Sequence, residues 1–173
     1  CSRSNQSFNI KVTVENLAML HKTRYTNRKH LQLQKIAVLG LGSSGLAALR
    51  LALSNQITTY IFDDDVQKVP EEFCNLFAHY SDWPWDEIDA VVFSPGIPTY
   101  LPEPHPASLL SAKFKVPIIS DIELVIRLQP ASKWIVITGT NGKSTTTALT
   151  AHILNSAGKP VAVGGNLGTA MAE

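Results

Sequence analysis

Two glycine-rich stretches carry residue types that can hold phosphate. The later one reads Gly139-Thr140-Asn141-Gly142-Lys143-Ser144-Thr145 and follows the β-branched run Ile135, Val136, Ile137. A short apolar strand, a glycine turn, Lys-Ser and a helix form the layout of a phosphate-binding loop. Glycines let backbone N–H groups curl around an anion, and the new helix points its unpaired N–H groups at the same place. Lys143 would reach the terminal phosphates of a bound nucleotide, and the Ser144 hydroxyl would reach Mg²⁺. The spacing departs from the usual loop, because Ile137 stands where a first glycine is expected and Gly139 lies closer to Gly142.

The earlier stretch is Gly40-Leu41-Gly42-Ser43-Ser44-Gly45, a G-x-G-x-x-G after the apolar run 35–39. The first two glycines are expected to allow a tight turn and a close phosphate approach, and Gly45 to let helix and strand pack closely. Asp63 ends the next apolar run about twenty positions on, where an acid accepts hydrogen bonds from a ribose or base.

These residues need a scaffold of alternating strands and helices. Strands are expected at 35–39, 57–62, 88–93, 116–119, 135–137 and 161–163, from their apolar, β-branched runs. Leu46, Leu49 and Leu53 recur at helical spacing after Gly45. Further helices are expected at 71–79, 107–113, 121–128 with Ser120 as cap, and 144–157 with Gly158 as stop. On the last of these, Leu149, Ile153 and Ala157 line one face. Ser94-Pro95-Gly96-Ile97-Pro98 is a rigid turn at a strand's carboxyl end, the edge where open α/β sheets bind ligands. Trp83 and Trp85 flank Pro84 and read as packing over a core, and the histidines carry no pairing that assigns them a role. Gln129-Pro130-Ala131-Ser132 marks a domain boundary.

The fold expected is α/β. A lead segment spans 1–34, a Rossmann-like parallel-sheet domain 35–129, and the start of a phosphate-loop domain 130–173. Residues 1–34 carry six Lys/Arg against Glu15 alone, while the rest carries nine basic and thirteen acidic residues. A targeting peptide, upstream sequence before a start at Met19, and a non-conserved lead all fit that composition, which favours the last. The mildly acidic body argues against nucleic acid as a main partner. No apolar run approaches the ~20 residues of a membrane helix. Cys1 and Cys74 offer neither metal spacing nor a disulfide framework, so a reducing cytoplasm is the default. The chain starts on Cys and stops at Glu173 inside an unfinished pattern, and it reads as a piece of something longer.

The motifs together carry a resemblance. Val-Leu-Gly-Leu-Gly-Ser-Ser-Gly (38–45), Ser-Pro-Gly-Ile-Pro (94–98), His105-Pro106, Ile-Ile-Ser-Asp-Ile-Glu-Leu (118–124), Ile-Thr-Gly-Thr-Asn-Gly-Lys-Ser-Thr (137–145) and Gly-Gly-Asn-Leu-Gly (164–168) stand in familiar order. Over about residues 35–173 the chain resembles the Mur ligase family of bacterial peptidoglycan synthesis. Ser-Pro-Gly-Ile and Gly-Leu-Gly-x-Ser-Gly point to the branch that adds D-glutamate to UDP-N-acetylmuramoyl-L-alanine. The resemblance implies a cytoplasmic, monomeric ATP-dependent acid–amino-acid ligase that works through an acyl phosphate. It places Ser43, Ser44 and Asp63 at the uridine nucleotide, Ser94, Gly96 and Asn166 near the substrate phosphates, and Gly139 to Thr145 on ATP. Family members often carry Thr-Arg after the strand-end acid, where this chain has Asp64 and Asp65. The family's glutamate and histidine for Mg²⁺, its carbamylated lysine and its D-glutamate domain would follow residue 173, so this chain is not expected to turn over alone.

Three other readings compete. A nicotinamide oxidoreductase would use Gly40–Gly45 and leave Lys143-Ser144 unexplained. A phosphate-loop kinase or transport ATPase would leave the first domain unexplained. A truncated product would bind a UDP-sugar without turnover.

Overall fold

The structure, a computed structural model, describes residues 33–99 and 102–164. The expected lead segment lies outside the described residues, except for its last two positions.

Four parallel strands form the framework: β1 Lys35–Leu39, β2 Thr58–Phe62, β3 Ala90–Phe93 and β4 Ile118–Ile119. Their order is β2-β1-β3-β4. Helix α1 (Ser43–Ser54) connects β1 to β2, α2 (Pro106–Phe114) precedes β4, and α3 (Asp121–Leu128) follows it. The strand runs are apolar throughout because a parallel sheet is covered on both faces. Alternate residues then divide between two cores. Ile36, Val38, Ala90 and Val92 join Leu49, Ala52 and Leu124 on one face. Ala37, Leu39, Val91 and Phe93 join Trp83, Trp85 and Ala107 on the other. Each fully buried Leu, Ile or Val contributes about 1.5–3 kcal/mol.

Local signals explain the helix ends. Ser120 Oγ accepts the Glu123 N–H at 3.1 Å and caps α3, as Ser-Asp-x-Glu predicts. Lys115 takes the left-handed conformation that ends α2. Trp83 and Trp85 are 3 % exposed and donate their indole N–H groups to the Ala78 and Tyr80 carbonyls. Both therefore pack, as their proline neighbour suggests. The expected helix at 71–79 is a 3₁₀ segment over Glu71–Leu76, and Phe77 already bridges to Ile61. At the amino end of β1, Lys35 forms an ion pair with Glu87, and that hydrogen bond raises the lysine pKa above its ordinary value.

Beyond α3 the expectations divide. Helix α4 forms over Lys143–Ser156 and stops at Gly158, whose φ is +71°. The expected strands at 135–137 and 161–163 do not form. A strand exists only in a ladder, and no strand among the described residues pairs with either segment. Instead, Ile137 and Val161 line a shallow apolar cleft with Thr150, Ala151 and Leu154 of α4. Leu149 and Ile153 lie on the helix's other side and are each 57 % exposed.

Candidate functional site: two glycine loops at helix N-termini

The chain runs from β1 to β2 on one side and later places β3 on the other side of β1. The crevice between the carboxyl ends of β1 and β3 is therefore a topological switch point, where open α/β sheets bind ligands. The loop Gly40–Gly42 leaves β1 there, and Ser94–Pro98 leaves β3 beside it.

Hydrogen bonds lock these loops together. Gly40 has φ +86°, donates its N–H to the Phe62 carbonyl at 2.8 Å, and accepts the Ser94 hydroxyl at 2.7 Å. Ser94 in turn donates its N–H to Leu39 at 2.9 Å. Asp63 is 7 % exposed; its Oδ2 accepts the Leu41 N–H at 2.6 Å and its Oδ1 the Asp65 N–H at 2.9 Å. Lys68 Nζ lies 3.8 Å from the same carboxylate. A Cβ on Gly45 would stand 1.8 Å from the Gly40 carbonyl oxygen, so only glycine lets α1 approach the turn this closely. The expected role of Gly45 holds. Gly42 departs from expectation: its φ is −67°, and a Cβ there would meet nothing within 4 Å. The turn needs Gly40 alone, and Gly42 leaves open space at the helix end.

That open end is chemically distinctive. Gly42 caps α1 with no side-chain hydrogen bond, and Ser43 and Ser44 form its first turn. Gly142 caps α4 in the same way, with φ +77°. By contrast, His105 caps α2 and Ser120 caps α3 through their side chains. Among the described α-helices, the two without side-chain caps are those whose loops read as anion-binding, and an uncapped N-terminus presents its N–H groups to an anion.

The second loop is the more exposed. Gly139 has φ +154°, and Thr140, Asn141, Ser144 and Thr145 are exposed. Lys143 Nζ folds back and donates to the Gly139 carbonyl at 2.6 Å and the Thr140 carbonyl at 3.2 Å. Its ammonium therefore lies over the loop that the backbone N–H groups border. A Cβ on Gly142 would meet nothing within 4 Å. An uncapped helix end, a lysine over it and an adjacent Ser144 hydroxyl suit a nucleotide phosphate with its divalent cation. Among the described residues, no cluster of three His, Cys, Asp or Glu could hold a metal on its own.

Ser43, Ser44, Asp63, Ser94 and Gly96 thus gather at the carboxyl edge of the sheet, where Gly96 has φ +95° with open space around it. Residues Gly139 to Gly142 form a separate loop, and Lys143 to Thr145 the first turn of α4. Asn166 lies outside the described residues. Two participants escape a sequence reading. Leu41 matters through its backbone N–H alone. His105 caps α2 through Nδ1, which accepts the Ala107 N–H at 3.1 Å. The signal available for His105 was Pro106, since proline favours the first helical position and makes its predecessor the cap.

No protein-family model matches the chain. Curated relatives do. The chain is 43 % identical over 141 residues, 78 % of its length, to the UDP-N-acetylmuramoylalanine--D-glutamate ligase of Wolbachia sp. subsp. Brugia malayi, of which it covers 28 %. It is 41 % identical over 145 residues to the Rhodospirillum rubrum enzyme of the same name, covering 79 % of itself and 30 % of that protein. The Rickettsia prowazekii relative of that name is 41 % identical over 140 residues, 78 % of the chain and 30 % of the relative. The chain spans less than a third of the length of these relatives. Two residues in five are thus shared, across nearly four-fifths of the chain, with a segment of proteins named UDP-N-acetylmuramoylalanine--D-glutamate ligase.

Proposed function

We propose that the chain is the nucleotide-holding part of a ligase that joins D-glutamate to UDP-N-acetylmuramoyl-L-alanine with ATP. The observation that carries this is the pair of glycine loops at helix N-termini without side-chain caps, one at the sheet's switch point and one beneath Lys143. The names of the relatives supply the two substrates. Residues 35–129 are assigned to the UDP-sugar and residues 130–173 to the start of an ATP-binding domain.

In this reading the N–H groups at the start of α1 and the Ser43 and Ser44 hydroxyls hold the uridine nucleotide. Asp63 acts first on the protein itself, since it holds the Leu41 N–H and thereby the turn. Ser94 likewise holds Gly40, and the Gly96 turn leaves room for phosphate. Asn166 is assigned to the same phosphates. At the second loop, Lys143 exchanges its two carbonyl partners for the terminal phosphates of ATP. The Ser144 hydroxyl would hold Mg²⁺, which supplies charge neutralisation when bound.

The reaction proposed for the full-length protein has two steps. An alanyl carboxylate oxygen attacks the γ-phosphorus, the bond to ADP breaks, and an acyl phosphate forms. The D-glutamate amine then attacks the acyl carbon, phosphate departs with the carbon–oxygen electron pair, and the amine gives up a proton. We assign binding to this segment and turnover to the longer, monomeric, cytoplasmic enzyme.

Calorimetric titration with UDP-N-acetylmuramoyl-L-alanine, and separately with MgATP, tests the reading. Saturable binding of the UDP-sugar, with NADH inert, is the expected result. Binding of NADH in place of the UDP-sugar would overturn it in favour of a nicotinamide enzyme.

A further inference from the structure

The switch-point site depends on three loops holding one position, and one tie comes from a residue the ligand chemistry does not use. His105 ends the connection that leaves β3. Its backbone N–H returns to the Pro98 carbonyl at 2.8 Å, and its own carbonyl accepts the Ser108 hydroxyl at 2.7 Å. Its Nδ1 accepts the Ala107 N–H, so in the neutral ring the proton is on Nε2. That Nε2 lies 3.5 Å from Asp64 Oδ2. Ring contacts hold the imidazole in place, edge-on to Tyr80 at 5.1 Å and to Phe93 at 6.4 Å between centroids. The His105 side chain is 10 % exposed and that of Asp64 77 %, so a fixed ring reaches out to a carboxylate at the loop's rim.

Asp64 follows Asp63, the residue that holds the Leu41 N–H of the glycine turn. We infer that His105 is a positioning residue for the UDP-sugar site, tying the loop after β3 to the loop after β2 through Asp64. The Ser94–Pro98 turn is thereby held in register with Asp63 and the glycine turn. The inference rests on the UDP-sugar reading above for its ligand, but not for its geometry.

Two variants separate the tie from the helix cap. In His105→Asn the amide oxygen can replace Nδ1 as cap but is too short to meet Asp64. In His105→Gln the amide N–H reaches toward Asp64 and the cap is lost. In calorimetric titrations of the whole chain, His105→Asn and Asp64→Ala are each expected to weaken UDP-N-acetylmuramoyl-L-alanine about three- to fivefold. The melting temperature of His105→Asn falls less than that of His105→Gln, because the cap is kept, and the double variant binds no worse than the weaker single. His105→Gln is expected to bind more tightly than His105→Asn despite melting lower. Wild-type affinity in His105→Asn, or losses that multiply in the double variant, would overturn the inference.

Imidazole ¹⁵N shifts of the ligand-free chain give an independent readout. The neutral ring should carry its proton on Nε2, with shifts that respond to Asp64→Ala. A proton on Nδ1, or shifts indifferent to Asp64→Ala, would overturn the tie whether or not a UDP-sugar binds. The expected tautomer and response, in a chain with no affinity for the UDP-sugar, would support the tie and overturn the functional reading instead.

Discussion

The two glycine loops share a plan and differ in what holds them. Both leave an apolar run, turn on a glycine with positive φ, and open a helix without a side-chain cap. The loop at 40–45 is fixed from outside itself: Phe62, Asp63 and Ser94 each hold one of its backbone groups. The loop at 139–145 is held by its own lysine. The preceding β1 is paired on both sides, whereas 135–137 has no ladder and Ile135 and Val136 are 58 % and 56 % exposed. A sequence motif therefore specifies the local turn, while its rigidity comes from strands and side chains distant in sequence. Preorganisation of the first site belongs to this segment, and that of the second requires pairing that the described residues do not supply.

Substitution of the glycines should show the contrast most strongly. Gly45→Ala places a Cβ 1.8 Å from the Gly40 carbonyl oxygen, so backbone must move. A loss of about 3 kcal/mol or more in urea unfolding is expected. Gly142→Ala meets no neighbour and pays only for its φ of +77°, about 1–2 kcal/mol confined to the local turn. Equal losses would mean that the two loops are held alike.

Next in size is Asp63→Ala. It leaves the buried Leu41 N–H without its acceptor, at a cost of about 1–3 kcal/mol in global stability. It should also weaken the UDP-sugar, because the turn relaxes. An unchanged denaturation midpoint with weakened binding would return Asp63 to the role of a simple ligand contact.

Lys143→Ala should reverse that pattern. The residue is exposed and, among the described residues, its ammonium bonds only its own loop, so the melting temperature should hold while MgATP affinity falls about tenfold or more. A fall in melting temperature would show that the second loop is tied into the fold after all.

The smallest effect is expected at the far end of β1. Glu87 raises the Lys35 pKa, so the pair's contribution is present at neutral pH and is lost as pH rises through the raised lysine value. Both partners are partly exposed. Glu87→Gln should leave the neutral-pH melting temperature within error, and any difference from wild type should vanish at strongly alkaline pH.

The same contrast governs how much could be read from the sequence. Strands β1 to β4 and the Ser120 cap follow from apolar runs and a local capping pattern, which need no knowledge of distant residues. Gly45 was legible because helix–strand proximity is built into its motif. Asp63 was legible as important, but its partner was not, since a carboxylate that serves a backbone N–H looks the same in sequence as one that serves a ribose. The runs at 135–137 and 161–163 have strand composition, yet composition cannot provide a neighbour to pair with. His105 stands in a motif but shows no role in the sequence, because its role arises from the cap and from Asp64, which lies far away in the chain and close in space.

We propose that the β1–β3 switch point is the UDP-sugar site and is preformed in this segment. Amide hydrogen exchange of the 173-residue chain, with and without UDP-N-acetylmuramoyl-L-alanine, tests it most directly. Added protection at residues 40–46, 63–65 and 94–98, with residues 139–146 unchanged, is the expected result. Protection confined to 139–146, or none at the switch point under saturating ligand, would contradict it.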